Sequence, residues 1–287
     1  MVPLCIKLAH TFRIIDIPDG IIKNHKNPTP YLGGIALFIG FLTSIAFVVP
    51  FENSSLFLLI IGLSLIVFLG LMDDIVTLSP GQKIMGQAII ALALVKAGFY
   101  LKIHAFYNPL TLGFSFLWII TLMNAFNLVD IMDGLATTLA LCSAVLFLTT
   151  ALFFNNYEAA LLLSALIGSL CAFFYFNKPP ARIYMGDTGS LFLGTFFGVI
   201  PFLCNWGTYT IYGYCAPLLF LIVPLAELGF LIVIRTYKGI PFYKASPDHY
   251  ALYLKKANFP VPIILIISAA VSLFFGLGVI VWLTGLV

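Results

Sequence analysis

Two adjacent carboxylates, Asp73 and Asp74, close an apolar run, and Lys83 follows a short polar loop. Such a pair facing a basic residue can bind a divalent cation or take a proton from an acceptor. A solvated helix end is the plainer alternative, although acids at a helix C-terminus oppose the macrodipole. A second group lies in Asn124–Leu135, NAFNLVDIMDGL, where Asn127, Asp130 and Asp133 recur at intervals of three. A continuing helix would place them near one stripe. They could hydrogen-bond a nucleobase or ribose, or help to hold Mg²⁺, a hard cation that prefers oxygen ligands. Polar capping between two apolar segments is the other reading. The third group is Met185–Ser190, MGDTGS. Gly186 and Gly189 allow close backbone approach, and a helix start there offers N–H groups to phosphate. Asp187 would repel phosphate unless a cation bridges the two, so this motif points to Mg²⁺–pyrophosphate, with an N-cap aspartate as the alternative. KNHKNPTPYLGG adds Lys23, His25 and Lys26, which by themselves suit basic anchors at a membrane surface. Glu227 stands inside an apolar run, either as part of a site or as the buried partner of a helix-end Arg or Lys.

The elements that must position these groups are membrane spans. The chain is 62% hydrophobic and only 9% charged, against roughly a quarter charged for a soluble domain. Its apolar residues fall in blocks of the length a helix needs to cross a bilayer, whereas a barrel would show short alternating segments. The expectation is an all-α polytopic bundle forming a single domain over residues 1–287, with about nine spans. These run near 31–50, 55–72, 84–101, 112–128, 135–154, 159–176, 190–204, 216–234 and 261–287. Residues 1–26 are too polar and broken to span, and no cleavable signal is visible. Trp206, Tyr209, Tyr212 and Tyr214 form an aromatic segment suited to the headgroup region. With the N-terminus inside, all the polar motifs fall on one side, together with every Lys and Arg except Lys96 and Lys102. The positive-inside rule makes that side cytoplasmic. The five cysteines have no metal-ligand spacing and suit small core residues; Cys204 and Cys215 flank an outer loop without requiring a disulfide.

One-sided charge is the functional clue. Transporters usually place polar groups near the bilayer midplane, whereas a reaction between a water-soluble substrate and a lipid needs them at one interface. Five segments then become recognisable in order: DIPDGIIKNHKNPTPYLGG, MDDIVTLSPGQKIMGQ, NAFNLVDIMDGLATTLA, FNKPPARIYMGDTGSLFLG and PLAELGFLIVIRTYKG. Together they resemble the polyprenyl-phosphate N-acetylhexosamine-1-phosphate transferases, a glycosyltransferase family 4-like group. The resemblance implies a bacterial inner-membrane enzyme that moves a sugar phosphate from a UDP-sugar to a polyprenyl phosphate and releases UMP. Such an enzyme begins a cell-wall or lipopolysaccharide glycan.

The same resemblance suggests roles. Asp73 and Asp74 match the family's paired aspartates near the lipid phosphate, and Asp187 its Mg²⁺ ligand, with Mn²⁺ as a substitute. Lys83 matches a lysine near the phosphates, while Asn127, Asp130 and Asp133 match the nucleotide-side motif; His25 and His249 complete the expected substrate contacts. No nucleic-acid partner is implied, and a homodimer is compatible with the pattern. Three departures stand out. Few residues precede the D-x-P segment, so the N-terminus is cytoplasmic or an upstream start lies outside this chain. In SPDHYALYL only His249 remains where the family often carries a His-x-His-His cluster, which favours the undecaprenyl-phosphate GlcNAc-1-phosphate type over the muramoyl-pentapeptide type. Glu227 stands where Asp is common. A transporter or flippase, and an inactive scaffold relative, are the rival readings.

Overall fold

A computed structural model describes residues 1–16, 29–47, 54–102, 108–204, 206, 211–241, 244 and 246–285. His25, Lys23 and Lys26 lie outside the described residues, as do Glu52 and Tyr209. The protein is an all-α polytopic membrane bundle. Among the described residues the α-helices in chain order are α1 (Val2–Phe12), α2 (Gly33–Ala46), α3 (Ser54–Val76), α4 (Pro80–Lys96), α5 (Asn108–Val129) and α6 (Leu135–Phe153). They continue with α7 (Tyr157–Asn177), α8 (Gly186–Val199), α9 (Ala216–Phe220), α10 (Ile222–Tyr237), α11 (Tyr250–Lys256) and α12 (Val261–Thr284). A two-residue antiparallel pair, Ile15–Asp16 with Thr29–Pro30, precedes α2.

Each of the nine expected segments contains a helix, but they differ in reach. α3, α5, α6, α7, α8 with the turn after it, and α12 are long and apolar enough to cross a membrane. The pair α9–α10 is apolar and long enough only when its two parts are taken together, and it is bent by 73° at Leu221. Ser143 donates to the Phe220 carbonyl at 2.9 Å, meeting one of the backbone groups that the bend releases. Among the described residues α2 has 14 residues and α4 has 17, shorter than a full crossing. The N-terminal segment, expected to be irregular, begins as helix α1, whose Val2, Cys5 and Ala9 are buried. Eleven residues are still too few to span.

α8 is the central element: every residue of it except Asp187 is buried, and α2, α3 and α5 pack around it. Such packing needs small residues, because lipid supplies no hydrophobic drive between helices. Gly34 and Gly189 lie so close that a Cβ on either would collide with the other's backbone. Phe68, Ile89, Leu117, Phe274 and Val281 point outward, forming the apolar surface that lipid requires. Trp206 departs from the headgroup expectation. It is buried against Phe147 and Phe220, and its Nε1 donates to the Pro201 carbonyl at 2.7 Å. All five cysteines are free thiols, Cys204 and Cys215 included.

Candidate active site

Asp73 and Asp74 occupy the last turn of α3. The chain then turns through Thr77 in a left-handed conformation, and Asp73 Oδ1 accepts the Leu78 N–H at 2.7 Å. α4 begins at once because Ser79 caps it: its hydroxyl accepts from Gln82 N–H, and Gln82 Oε1 accepts from Ser79 N–H. This tight reversal fixes Lys83 in the first turn of α4, beside the end of α3. The Lys83 ammonium lies 2.9 Å from Asp73 Oδ2 and 2.5 Å from Asp187 Oδ2.

Asp187 enters from the first turn of α8. Its Oδ1 accepts from Asn127 Nδ2 at 2.5 Å, and Asn127 also donates to Ser190 Oγ at 3.1 Å while its own Oδ1 faces Lys83. The carboxyls of Asp73 and Asp187 are within hydrogen-bonding reach of each other. Four helix ends, those of α3, α4, α5 and α8, therefore converge on one knot of two carboxylates, one ammonium and one amide. One turn deeper, Asn124 Nδ2 donates to Gln87 Oε1 at 2.9 Å and extends the polar α4–α5 contact inward.

The start of α8 differs from the sequence expectation. Its first N–H groups are not open to phosphate: Asp74 Oδ1 accepts from Asp187 N–H at 2.8 Å and Oδ2 from Thr188 N–H at 3.0 Å. Asp187 does not cap its own helix. Gly186 adopts φ +68°, and a Cβ there would meet the Asp74 carboxylate, so the glycine serves packing rather than ligand approach.

The predicted stripe of Asn127, Asp130 and Asp133 also does not form. α5 stops at Val129, and a turn ending in left-handed Gly134 reverses the chain into α6. Asn127 alone lies on the helix. Asp133 turns away, its Oδ2 accepting the Ala181 N–H at 2.9 Å and pinning the loop that leads into α8. Asp130, half-buried, makes no hydrogen bond to the described residues. Burial, then the charges of Asp187, Asp74 and Asp133, push its carboxyl up to about 8.

His249 and Glu227 form a different cluster. His249 Nδ1 meets Glu227 Oε1 at 2.8 Å, both side chains buried, and the helix-end Arg235 also interacts electrostatically with Glu227. No contact joins His249 to Asp187 among the described residues. Thr188 and Ser190 were legible only as letters of MGDTGS. Their signal was position, since residues one and three beyond Asp187 share its helical turn.

Among the described residues no three His, Cys, Asp or Glu side chains gather as a metal cage. Mg²⁺ does not need one, since it commonly takes one or two carboxylates and completes its octahedron with water and substrate phosphates. Asp187 and Asp73, both directed at one point already occupied by the Lys83 ammonium, fit that requirement.

Residues 56–205 match glycosyl transferase family 4. The chain is 30% identical over 257 residues to the probable undecaprenyl-phosphate N-acetylglucosaminyl 1-phosphate transferase of Bacillus subtilis, covering 86% of this chain and 71% of that one. It is 31% identical over 252 residues to the phospho-N-acetylmuramoyl-pentapeptide-transferase of Enterococcus hirae, covering 79% and 76%. The protein of that name from Staphylococcus saprophyticus is 30% identical over 292 residues, covering 91% and 85%.

Proposed function

The chain belongs to glycosyl transferase family 4, and from that premise we propose that it transfers a sugar 1-phosphate from a UDP-sugar to a polyprenyl phosphate. A lipid-phosphate oxygen attacks the β-phosphorus of the UDP-sugar, the bond to the bridging oxygen breaks, and UMP leaves. The observation that carries this reading is the knot of Asp73, Lys83, Asn127 and Asp187 at one end of the bundle. It sits where an anionic headgroup from the bilayer can meet a nucleotide from water. A transporter is not favoured, since relatives bearing transferase names cover most of the chain.

Two anionic substrates must be brought together, so positioning and charge neutralisation dominate. Family chemistry of this kind uses a divalent cation. Mg²⁺ held by Asp187, with Asp73 beside it, would offset the pyrophosphate charge, and Mn²⁺ could replace it. Lys83 would lean from the carboxylates toward the phosphates. Asp73 would orient the lipid phosphate and accept its proton. Asp130, whose carboxylate is bound to no described residue, is the better nucleotide contact; Asp133 serves the loop before α8. His249 is retained as a substrate contact only through Nε2, because Nδ1 is engaged. Single displacement is preferred to an aspartyl-phosphate. Both oxygens of Asp73 and both of Asp74 already accept hydrogen bonds or ion pairs, and neither carboxylate presents an open nucleophile.

The donor is proposed to be UDP-N-acetylglucosamine, because SPDHYALYL has one histidine where the muramoyl type is histidine-rich. The acceptor is undecaprenyl phosphate, and the site faces the cytoplasm of a bacterial inner membrane, a reading that the positive-inside count supports. Purified protein incubated with a panel of UDP-HexNAc donors, undecaprenyl phosphate and Mg²⁺ tests this reading. UMP and a lipid-linked sugar should appear, and without lipid no phosphosugar should label the protein. Absence of UMP with every donor would sink the proposal.

A further inference from the structure

Asp73 and Asp74 are neighbours in sequence, yet consecutive helical residues point about 100° apart. Their surroundings differ accordingly. Asp73 faces Lys83 and Asp187. Asp74 faces the amino end of α8, where it meets three donors: Asp187 N–H at 2.8 Å on Oδ1, and Thr188 N–H at 3.0 Å and Thr188 Oγ1 at 2.6 Å on Oδ2. None of its hydrogen bonds involves Lys83 or Asn127.

These contacts reproduce a helix cap. Helices leave their first N–H groups unpaired, and a capping side chain normally accepts from the second or third helical residue. In α8 those residues are Asp187 and Thr188, because the helix begins at Gly186. Met185 stands at the cap position and has no oxygen to offer, so no side chain of this segment makes the cap bond. A carboxylate from α3 takes its place, and the positive end of the helix dipole favours it there. Gly186 makes the arrangement possible: the position of an added Cβ lies 2.7 Å from one Asp74 oxygen and 2.9 Å from the other.

We propose that Asp74 is a positioning residue. It caps α8 from a neighbouring helix, thereby aims the Asp187 side chain at Lys83 and Asn127, and itself receives neither proton nor phosphate. The inference rests on reading Asp187 as the heart of the transfer site, and it divides the work of two adjacent acids. Asp73 acts in the site; Asp74 builds it.

The test uses the full chain in detergent micelles and compares Asp74→Asn, Asp73→Asn, Thr188→Val and Thr188→Ser. Amide hydrogen exchange over residues 184–191 is one readout; Mg²⁺ titration of UMP release is the other. Asn keeps one acceptor oxygen but turns an NH₂ group toward the remaining donors. Asp74→Asn should therefore speed exchange at Asp187 and Thr188 about tenfold or more, the equivalent of one charged hydrogen bond. It should also raise the half-saturating Mg²⁺ concentration while leaving measurable turnover. Asp73→Asn should leave that exchange unchanged. Thr188→Val should show a smaller exchange increase, which Thr188→Ser, retaining the hydroxyl, reverses. This second pair keeps the test open if Asp74→Asn does not fold. Lost turnover with unaltered exchange in Asp74→Asn, or unaltered exchange in Thr188→Val, would overturn the inference. A wild-type protein that releases no UMP would instead defeat the transferase reading, while the exchange data would still decide whether Asp74 is the cap.

Discussion

Two charged regions of this molecule are built on opposite principles. Around the start of α8, the carboxylates of Asp73 and Asp187 share one ammonium, that of Lys83, while Asp74 accepts from the first N–H groups of that helix. Around the end of α10, each acid has its own donor. Glu227 meets His249, while Asp248 takes both Lys238 at 2.5 Å and the Tyr253 hydroxyl at 2.8 Å. The titration of one acid in each region records the contrast. Burial and neighbouring acids raise the Asp130 carboxyl to about 8, whereas hydrogen bonds from Lys238 and then Tyr253 hold Asp248 below the usual range. The first region is short of positive charge and suits a cation arriving with its substrate. The second is self-sufficient, tying Asp248, His249 and α11 to α10.

The contrast can be broken at its strongest point first. Asp187→Asn removes the charge shared by Lys83 and Asn127, and turnover should fall about a thousandfold while the protein still inserts and melts normally; UMP release reads it. Near-normal turnover with Mg²⁺ would remove Asp187 from the metal role. Lys83→Met should cut turnover about a hundredfold. Because the ammonium occupies the point between Asp73 and Asp187, the same variant should bind Mn²⁺ more tightly without substrate, measured by electron paramagnetic resonance. Weaker Mn²⁺ binding would show that Lys83 organises the carboxylates rather than competing for them.

The opposite region should answer with stability instead of chemistry. His249→Ala removes the 2.8 Å hydrogen bond to buried Glu227, which costs about 1–3 kcal/mol. The melting temperature should drop by several degrees, with turnover at low temperature reduced less than tenfold. A hundredfold loss at unchanged melting temperature would place His249 in contact with substrate.

A pH dependence sharpens the contrast further. A carboxyl raised from about 4 when unfolded to about 8 when folded is neutral in the folded protein across that interval. The folded state then holds one more proton than the unfolded one, so stability falls as pH rises from about 4 to about 8 and levels off above. Asp130→Asn is free of this loss. In metal-free buffer its melting temperature should pull ahead of wild type between pH 5 and 8; a constant gap would show that Asp130 does not titrate there.

How much of this was legible in the sequence follows from the range of each interaction. Span positions rest on local hydropathy, and each of the nine segments contains a helix. The acids that end α3 and begin α8 were visible as chain punctuation, because charge at the end of an apolar run marks where the chain leaves the hydrocarbon. What could not be read was which partner each acid would find. The three-residue spacing of Asn127, Asp130 and Asp133 suggested one helical face, but Gly134 in a left-handed conformation forces the reversal that separates them. Asp74 looked equivalent to Asp73 because helical rotation separates neighbours only once their environment is known. The bend at Leu221 was hidden for the same reason. It is satisfied by Ser143, 78 positions before it in the chain.

The central claim is that the unbalanced acid cluster, and not the paired one, is where a divalent cation and a sugar-phosphate donor meet the lipid. Formation of lipid-linked sugar from UDP-N-acetylglucosamine and undecaprenyl phosphate, followed as Mg²⁺ is titrated into EDTA-treated protein, tests it most directly. The account predicts no product without the cation, saturable recovery on adding it, and no recovery in Asp187→Asn. Full product formation in EDTA, or full Mg²⁺ recovery in Asp187→Asn, would contradict it.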